Sequence, residues 1–175
     1  MIGIYNLFME EIKQLSEKLG KLIQKTNLKF ITAESCTGGM LGDAITSVPG
    51  SSDYYLGGFI AYANDAKERW LGVEREIIEA HGAVSKKTVE AMAEGARRAF
   101  WEEIPPIKMA SMAVSGIAGP GGGTEEKPVG TVWIAVSGPG GTASKEYHFE
   151  GDRREVKEQS TRQALEDLLA YLDNL

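Results

Sequence analysis

A serine, a tyrosine and a lysine fall close together where turns alternate with regular structure. Ser52 lies in a turn rich in Pro, Gly and Ser, Tyr62 ends a β-prone segment, and Lys67 lies in the first turn of the next helix. A neutral lysine can remove the proton of a serine hydroxyl where no histidine is positioned to do so. The sequence therefore predicts Ser52 as a nucleophile and Lys67 as its base. Tyr62 would orient or relay the proton, or else be a rim aromatic whose hydroxyl is solvated.

This role requires an unusual pKa for Lys67. Lysine ordinarily titrates at about 10.4, so a base working near pH 7 needs a pKa about three units lower, equivalent to about 4 to 5 kcal/mol. Burial or a nearby cation can lower the pKa to this extent, and the N-terminal turn of a helix also disfavours a positive charge. The predicted direction of the shift is therefore downward.

A second group of polar residues precedes a predicted helix. Ser35, Thr37 and Gly38 follow a short β-prone run, at a point where hydroxyl groups and backbone amides meet the positive end of a helix dipole. They could bind a ligand, or Ser35 or Thr37 could be an ordinary helix cap. Cys36 lies between them and could be a nucleophile, but with no histidine beside it in sequence we interpret it as a buried, inert thiol.

Two further features could bind an anion. The loop from Gly116 to Gly123, which includes Gly121, is rich in glycine and would let backbone N–H groups approach a phosphate closely. It matches neither the dinucleotide fingerprint nor a P-loop, so a plain mobile turn is the alternative. Arg153, at the start of the last predicted helix, could clamp a phosphate or carboxylate, although surface salt bridging is the usual role of such a residue.

Length and composition limit the class of protein. A chain of 175 residues is expected to form one domain, residues 1–175. The net charge of −6 and the lack of a basic cluster argue against a nucleic-acid partner. The single cysteine allows no internal disulfide and favours a reducing cytoplasm. We expect no membrane association, because no apolar run has membrane length and Met1 to Met9 lack the features of a signal peptide.

The elements that must position these residues alternate along the chain. Apolar spacing and turn residues predict helices at 8–26, from 38 or 39 to about 46, at 64–71, 74–80 and 85–100, and from 152 onward. They predict strands at 29–33, 54–63, 109–114, 131–136 and 142–149. The last two strands form a hairpin and must be antiparallel, while the earlier ones can be parallel. We therefore predict a single-domain α/β protein, a three-layer α/β/α sandwich with a mixed sheet.

Several long motifs in this chain resemble those of one known family. They are Thr32–Gly39, Pro49–Ser52, Tyr62–Lys67, His81–Ser85, Ser115–Pro120 and Glu125–Val132. In this order they resemble the CinA C-terminal domain family, the nicotinamide-nucleotide amidohydrolases. The likeness covers nearly the whole chain, which makes it far more specific than any single motif.

The resemblance implies hydrolysis of the carboxamide of nicotinamide mononucleotide to nicotinic acid mononucleotide and ammonia, a step of pyridine nucleotide salvage. It implies no metal and no cofactor. By motif, Ser52 resembles the nucleophile, Lys67 its base and Tyr62 an assistant, while Ser35 lies against the reacting group. Ser115 and Arg153 resemble residues that hold the substrate. Which of Ser35 and Ser52 attacks stays open at this point.

Two other functions remain compatible with the sequence. The chain could be a non-catalytic module that binds a pyridine nucleotide or a partner protein, or an amidohydrolase for another small carboxamide. Small α/β enzymes with surplus apolar surface often pair symmetrically, so a homodimer or higher homo-oligomer is expected. The oligomeric state itself does not follow from the sequence.

Overall fold

A computed structural model describes residues 2–175, with side chains from Phe8 onward. Met1 and the side chains of residues 2–7 lie outside the described residues. They belong to the segment, Met1 to Met9, for which the sequence predicted no signal peptide. The helices are α1 (Ile2–Thr26), α2 (Met40–Thr46), α3 (Asn64–Leu71), α4 (Arg75–His81), α5 (Lys86–Arg98) and α6 (Arg153–Asp173). The strands are β1 (Lys29–Glu34), β2 (Tyr55–Ile60), β3 (Met109–Gly116), β4 (Thr131–Gly138) and β5 (Gly141–His148). Short 3-10 helices occupy Ser51–Asp53 and Pro106–Lys108.

One mixed sheet of five strands forms the centre of the molecule, in the order β2-β1-β3-β4-β5. Strand β1 pairs in parallel with β2 and with β3. Strand β4 is antiparallel to both β3 and β5, so the predicted hairpin is confirmed. The three parallel strands end at one edge of the sheet, and the segments that follow them therefore meet there.

Helices cover both faces of the sheet and bury two separate apolar cores. On one face α1, α2 and α6 pack on alternate strand residues such as Phe30 and Met112. On the other face α3, α4 and α5 pack on Ile31 and Ala113. Because neighbouring strand residues point to opposite faces, the parallel strands are apolar on both sides. The predicted three-layer α/β/α sandwich is confirmed.

Local capping explains where the helices begin and end. Ser85 caps α5 by accepting the N–H of Thr88. Asp152 and Glu155 form a reciprocal capping box at the start of α6, which fixes the position of Arg153. Helix α3 has the predicted bounds, and its cap is Ala63, which makes no side-chain capping bond.

Helix α3, which carries Lys67, is held by an unusually close approach to α5. A Cβ atom on Gly95 would lie 1.8 Å from the carbonyl oxygen of Leu71, the last residue of α3. Only glycine allows the two backbones to come this close. The contact therefore sets the position of α3 relative to the sheet.

Replacing Gly95 with alanine should destabilise the fold by about 1 to 3 kcal/mol, since overpacking outweighs the roughly 1 kcal/mol gain in helix propensity. Urea unfolding followed by circular dichroism measures the effect. Gly121→Ala is the matched control, because a Cβ there would have no neighbour within 4 Å. A Gly95→Ala protein as stable as the wild type would show that the close approach is not constraining.

Candidate active site

The Lys67 amine lies at the carboxyl edge of the parallel strands and contacts three oxygen atoms. Its Nζ is 3.1 Å from Ser35 Oγ, 3.1 Å from the carbonyl oxygen of Ala61 and 3.1 Å from that of Tyr62. Ser35 directly follows β1, and Ala61 and Tyr62 follow β2. Because these strands are parallel neighbours, their ends bring the three partners together around one nitrogen.

This arrangement accommodates both protonation states of the amine. A protonated Lys67 has three N–H donors for its three oxygen partners. A neutral Lys67 keeps two N–H donors for the two carbonyl oxygens, and its lone pair can then accept the proton of the Ser35 hydroxyl. The two carbonyl groups cannot donate a hydrogen bond, so the lone pair has Ser35 as its partner.

Burial lowers the pKa of Lys67. The residue is 1% exposed, and removal from water disfavours the charged amine. Among the described residues, no carboxylate lies within ion-pair distance of its Nζ. A Cys36 thiolate would oppose the shift, but burial raises the pKa of that thiol to about 12. Near neutral pH the thiol is uncharged, so the effect of burial dominates.

The predicted contact between Ser52 and Lys67 is wrong. Ser52 is exposed in the 3-10 helix that precedes β2, whereas Lys67 follows the far end of that strand. Six residues of extended chain separate two points by about 20 Å. Ser52 and Lys67 are close along the chain but not in space, because strand β2 lies between them and carries the chain across the sheet. Ser35, from the neighbouring strand, occupies the position predicted for Ser52.

The turn that carries Ser35 is organised by a buried carboxylate. Glu34 Oε2 accepts the N–H groups of Gly39 and Leu41, and Oε1 accepts that of Gly42, at 2.8 to 3.1 Å. These amides are at the start of α2 and have no carbonyl partners within the helix. Glu34 therefore fastens α2 to the end of β1 and fixes the loop between them. In the sequence, the signal for this role is that Glu34 directly precedes Ser35 and lies four residues before the Gly38-Gly39 pair.

A pocket of about 260 Å³ opens above Ser35. Its lining includes Tyr62, Gly116, Gly121 and Arg153, all of which were predicted as site residues. Arg153 donates to the Tyr62 hydroxyl and to the Gly119 carbonyl oxygen, each at 2.5 Å. The guanidinium thus joins the glycine loop to the segment after β2 and closes one side of the pocket.

Three of the residues predicted to bind a ligand do not line this pocket. Ser115 is buried and donates its hydroxyl to the Ala83 carbonyl oxygen at 2.8 Å. Thr37 is fully buried, and its hydroxyl has no hydrogen-bond partner among the described residues. Gly38 is exposed with a φ of 62°, a left-handed conformation that glycine adopts readily. Their roles in binding stay predictions.

Gly116 lines the pocket, but packing also requires glycine at this position. A Cβ atom there would lie 2.5 Å from Val132 Cγ2 on the adjacent strand β4. The close pairing of β3 and β4 therefore excludes a side chain, whether or not an anion binds. The glycine-rich composition alone did not distinguish these two reasons.

One basic residue near the pocket, Lys157, belongs to no motif that the sequence pattern singled out. Lys157 lies four residues after Arg153 on α6, a spacing that puts both on one face of the helix.

Among the described residues, no helix is both long and apolar enough to span a membrane. In the same part of the chain, no group of three or more His, Cys, Asp or Glu side chains could hold a metal ion.

Comparison with known proteins identifies related sequences. The model of the CinA C-terminal domain matches residues 12–172. A CinA-like protein of Citrifermentans bemidjiense is 43% identical over 166 residues, covering 95% of this chain and 39% of that protein. A CinA-like protein of Parasynechococcus marenigrum is 54% identical over 133 residues, covering 76% of this chain and 30% of that protein. The chain spans about two fifths of the length of the first relatives it matches.

Solved structures share the fold over nearly the whole chain. The competence/damage inducible protein CihA from Agrobacterium tumefaciens superposes with a TM-score of 0.84 at 39% identity, covering 93% of this chain and 96% of that one. A CinA superfamily protein from Klebsiella pneumoniae superposes with a TM-score of 0.86 at 30% identity, covering 94% of this chain and 99% of that one.

Replacing Glu34 with glutamine should lower the free energy of unfolding by about 2 to 3 kcal/mol, because bonds to a charged acceptor are lost and an amide donor faces backbone donors. Urea unfolding measures the change. Glu126→Gln, on the exposed loop before Pro128, is the matched control for loss of one carboxylate. Equal stability of the two variants would contradict the proposed role of Glu34 in fastening α2.

Proposed function

Because the chain belongs to the CinA C-terminal domain family, we propose that it hydrolyses the carboxamide of nicotinamide mononucleotide to nicotinic acid mononucleotide and ammonia. The observation that carries this proposal is the 3.1 Å contact between the buried Lys67 Nζ and Ser35 Oγ beneath an open pocket. A serine hydroxyl in contact with a desolvated amine is suited to acyl transfer. The substrate follows from the family resemblance of the motifs.

In the first half of the reaction, Ser35 is the nucleophile. Its Oγ forms a bond to the amide carbon while its proton passes to the neutral Lys67 Nζ. The tetrahedral intermediate then expels the amide nitrogen, which takes that proton from Lys67 and leaves as ammonia. Water attacks the resulting ester, and Lys67 accepts the water's proton and returns it to Ser35 Oγ as the acid departs.

Backbone amides of the Ser35 turn can stabilise the developing oxyanion. Cys36 and Thr37 follow the nucleophile, and neither N–H donates to a backbone carbonyl among the described residues. Glu34 holds the far side of this turn, which keeps the amides oriented before substrate arrives. One preorganised donor of this kind contributes about 10² to 10³ in rate, and positioned acid-base catalysis about 10² to 10⁴. Amide hydrolysis needs both.

Tyr62 and Arg153 form the wall of the pocket rather than transfer the proton. The Tyr62 hydroxyl accepts a hydrogen bond from Arg153, and the Tyr62 carbonyl oxygen accepts one from Lys67. Tyr62 therefore connects the pocket wall to the base through its own backbone. A cytoplasmic location and a homo-oligomeric assembly stay predictions.

Single substitutions distinguish the two candidate serines. Ser35→Ala and Lys67→Ala should each lower ammonia release from nicotinamide mononucleotide by at least about 10³-fold, because each removes one member of a unit that acts together. Ser52→Ala should keep near wild-type turnover. The measurement is a coupled ammonia assay on purified protein, with circular dichroism to confirm folding.

Loss of activity in Ser52→Ala with activity retained in Ser35→Ala would overturn this mechanism. Binding of the nucleotide by the wild type without ammonia release would favour the non-catalytic module instead.

The pH dependence of kcat/KM tests the base. Only neutral Lys67 can accept the proton, so the rate should rise with pH to an inflection below the ordinary lysine pKa of 10.5.

The same lowered pKa makes the stability of the fold depend on pH. Between that lowered pKa and 10.5 the unfolded chain binds a proton at Lys67 that the folded chain lacks, so the free energy of unfolding rises with pH. Lys67→Met should remove this rise in stability, whereas Lys87→Met on the surface of α5 should keep it. A rise of equal size in both variants would contradict the lowered pKa.

A further inference from the structure

A basic side chain near the Ser35 turn has no hydrogen-bond or ion-pair partner among the described residues. Lys157 is half-buried on α6, and its Nζ lies 3.7 Å from the position that a Cβ on Gly38 would occupy. Among the described residues, no hydrogen bond or ion pair involves this Nζ. A partly desolvated ammonium group costs free energy unless an anion compensates it. The position therefore favours an anionic ligand.

Lys157 faces a second pocket that continues the first. This pocket has a volume of about 530 Å³ and is lined by Met40, Arg153, Arg154 and Lys157, among others. It shares Ala118, Gly119 and Arg153 with the pocket above Ser35. One ligand can therefore place a reacting group at Ser35 and a second group beside Lys157.

The acidic residues near this pocket are engaged elsewhere. Asp152 lines the pocket, but its Oδ1 accepts the N–H groups of Arg154 and Glu155. Glu155 Oε2 accepts the N–H of Asp152, and Glu158 pairs with Arg154 at 2.7 Å. Arg153 in turn is held by Gly119 and Tyr62. Within the part of the chain that the structure describes, Lys157 is thus the cation of this cluster that remains available to a ligand.

We propose that Lys157 binds the phosphate monoester of the substrate and so selects phosphorylated over unphosphorylated carboxamides. This inference rests on the proposed function for the placement of the carboxamide at Ser35. A flexible lysine suits a phosphate because its ammonium is a compact point charge with three donors. The first turn of α6 adds the positive end of a long helix beside it. Gly38 has no side chain, which leaves room for the ligand to approach the Lys157 ammonium group.

Calorimetric binding in the Ser35→Ala background separates this inference from catalysis, because no turnover is required. Lys157→Gln should weaken binding of nicotinamide mononucleotide roughly ten- to hundredfold, the effect of losing a charge-assisted hydrogen bond. Binding of nicotinamide riboside, which lacks the phosphate, should change less than about threefold. Lys157→Arg should restore most of the preference for the phosphorylated ligand, since it keeps the charge.

Lys87→Gln, a surface residue of α5 on the opposite face of the sheet, is the matched control and should leave both affinities unchanged. Equal weakening of both ligands by Lys157→Gln, no weakening of either, or no binding of the nucleotide to the starting protein would overturn the role of Lys157. If Lys157 discriminates between the ligands while the wild type releases no ammonia, the phosphate subsite stands and the proposed hydrolysis fails. If the wild type releases ammonia but Lys157→Gln does not weaken the nucleotide more than the riboside, the proposed hydrolysis stands and the phosphate subsite fails.

Discussion

The candidate site depends on one buried amine with three oxygen partners and no counterion among the described residues. Water would hydrate the ammonium form of Lys67 far better than two carbonyl groups and a hydroxyl do, so the fold shifts the balance towards the neutral form. The same partners also fix the direction of the lone pair. A lysine in solution has neither property. The surrounding fold therefore turns a residue that is ordinarily a weak candidate for a base into one aligned with a specific hydroxyl.

The parallel arrangement of β1, β2 and β3 creates this geometry. Three consecutive strand ends at one edge bring together the Ser35 turn, the segment before α3 and the glycine loop, although these are far apart in sequence. Two contacts hold this edge of the sheet in place. Glu34 connects α2 to β1 by accepting hydrogen bonds from backbone amides, and the close approach at Gly95 positions α3 against α5. Arg153 then joins the last helix to both the loop and Tyr62, which makes the pocket wall from three separate parts of the chain.

Most of the architecture could be predicted from the sequence, because hydrophobic periodicity and turn residues are local signals. The five strands, the caps at Ser85 and Asp152 and the antiparallel hairpin all depend on neighbouring residues. The partner of Lys67 could not be predicted in the same way. Ser52 is nearer to Lys67 along the chain, and only the pairing of β1 with β2 reveals that Ser35 is nearer in space. Lys157 was missed for a similar reason, since its importance depends on a pocket that several elements form together.

Cys36 is buried, as the sequence indicated, and this has a chemical consequence for the site. The thiol is the immediate neighbour of Ser35, where a reactive cysteine would be an easy target for peroxide or electrophiles. Burial raises its pKa to about 12, so the thiolate that such reagents attack is almost absent under physiological conditions. Oxidation at this position is therefore slower than at an exposed cysteine, and the turn beside Ser35 keeps its shape while exposed thiols are converted to sulfenic acids.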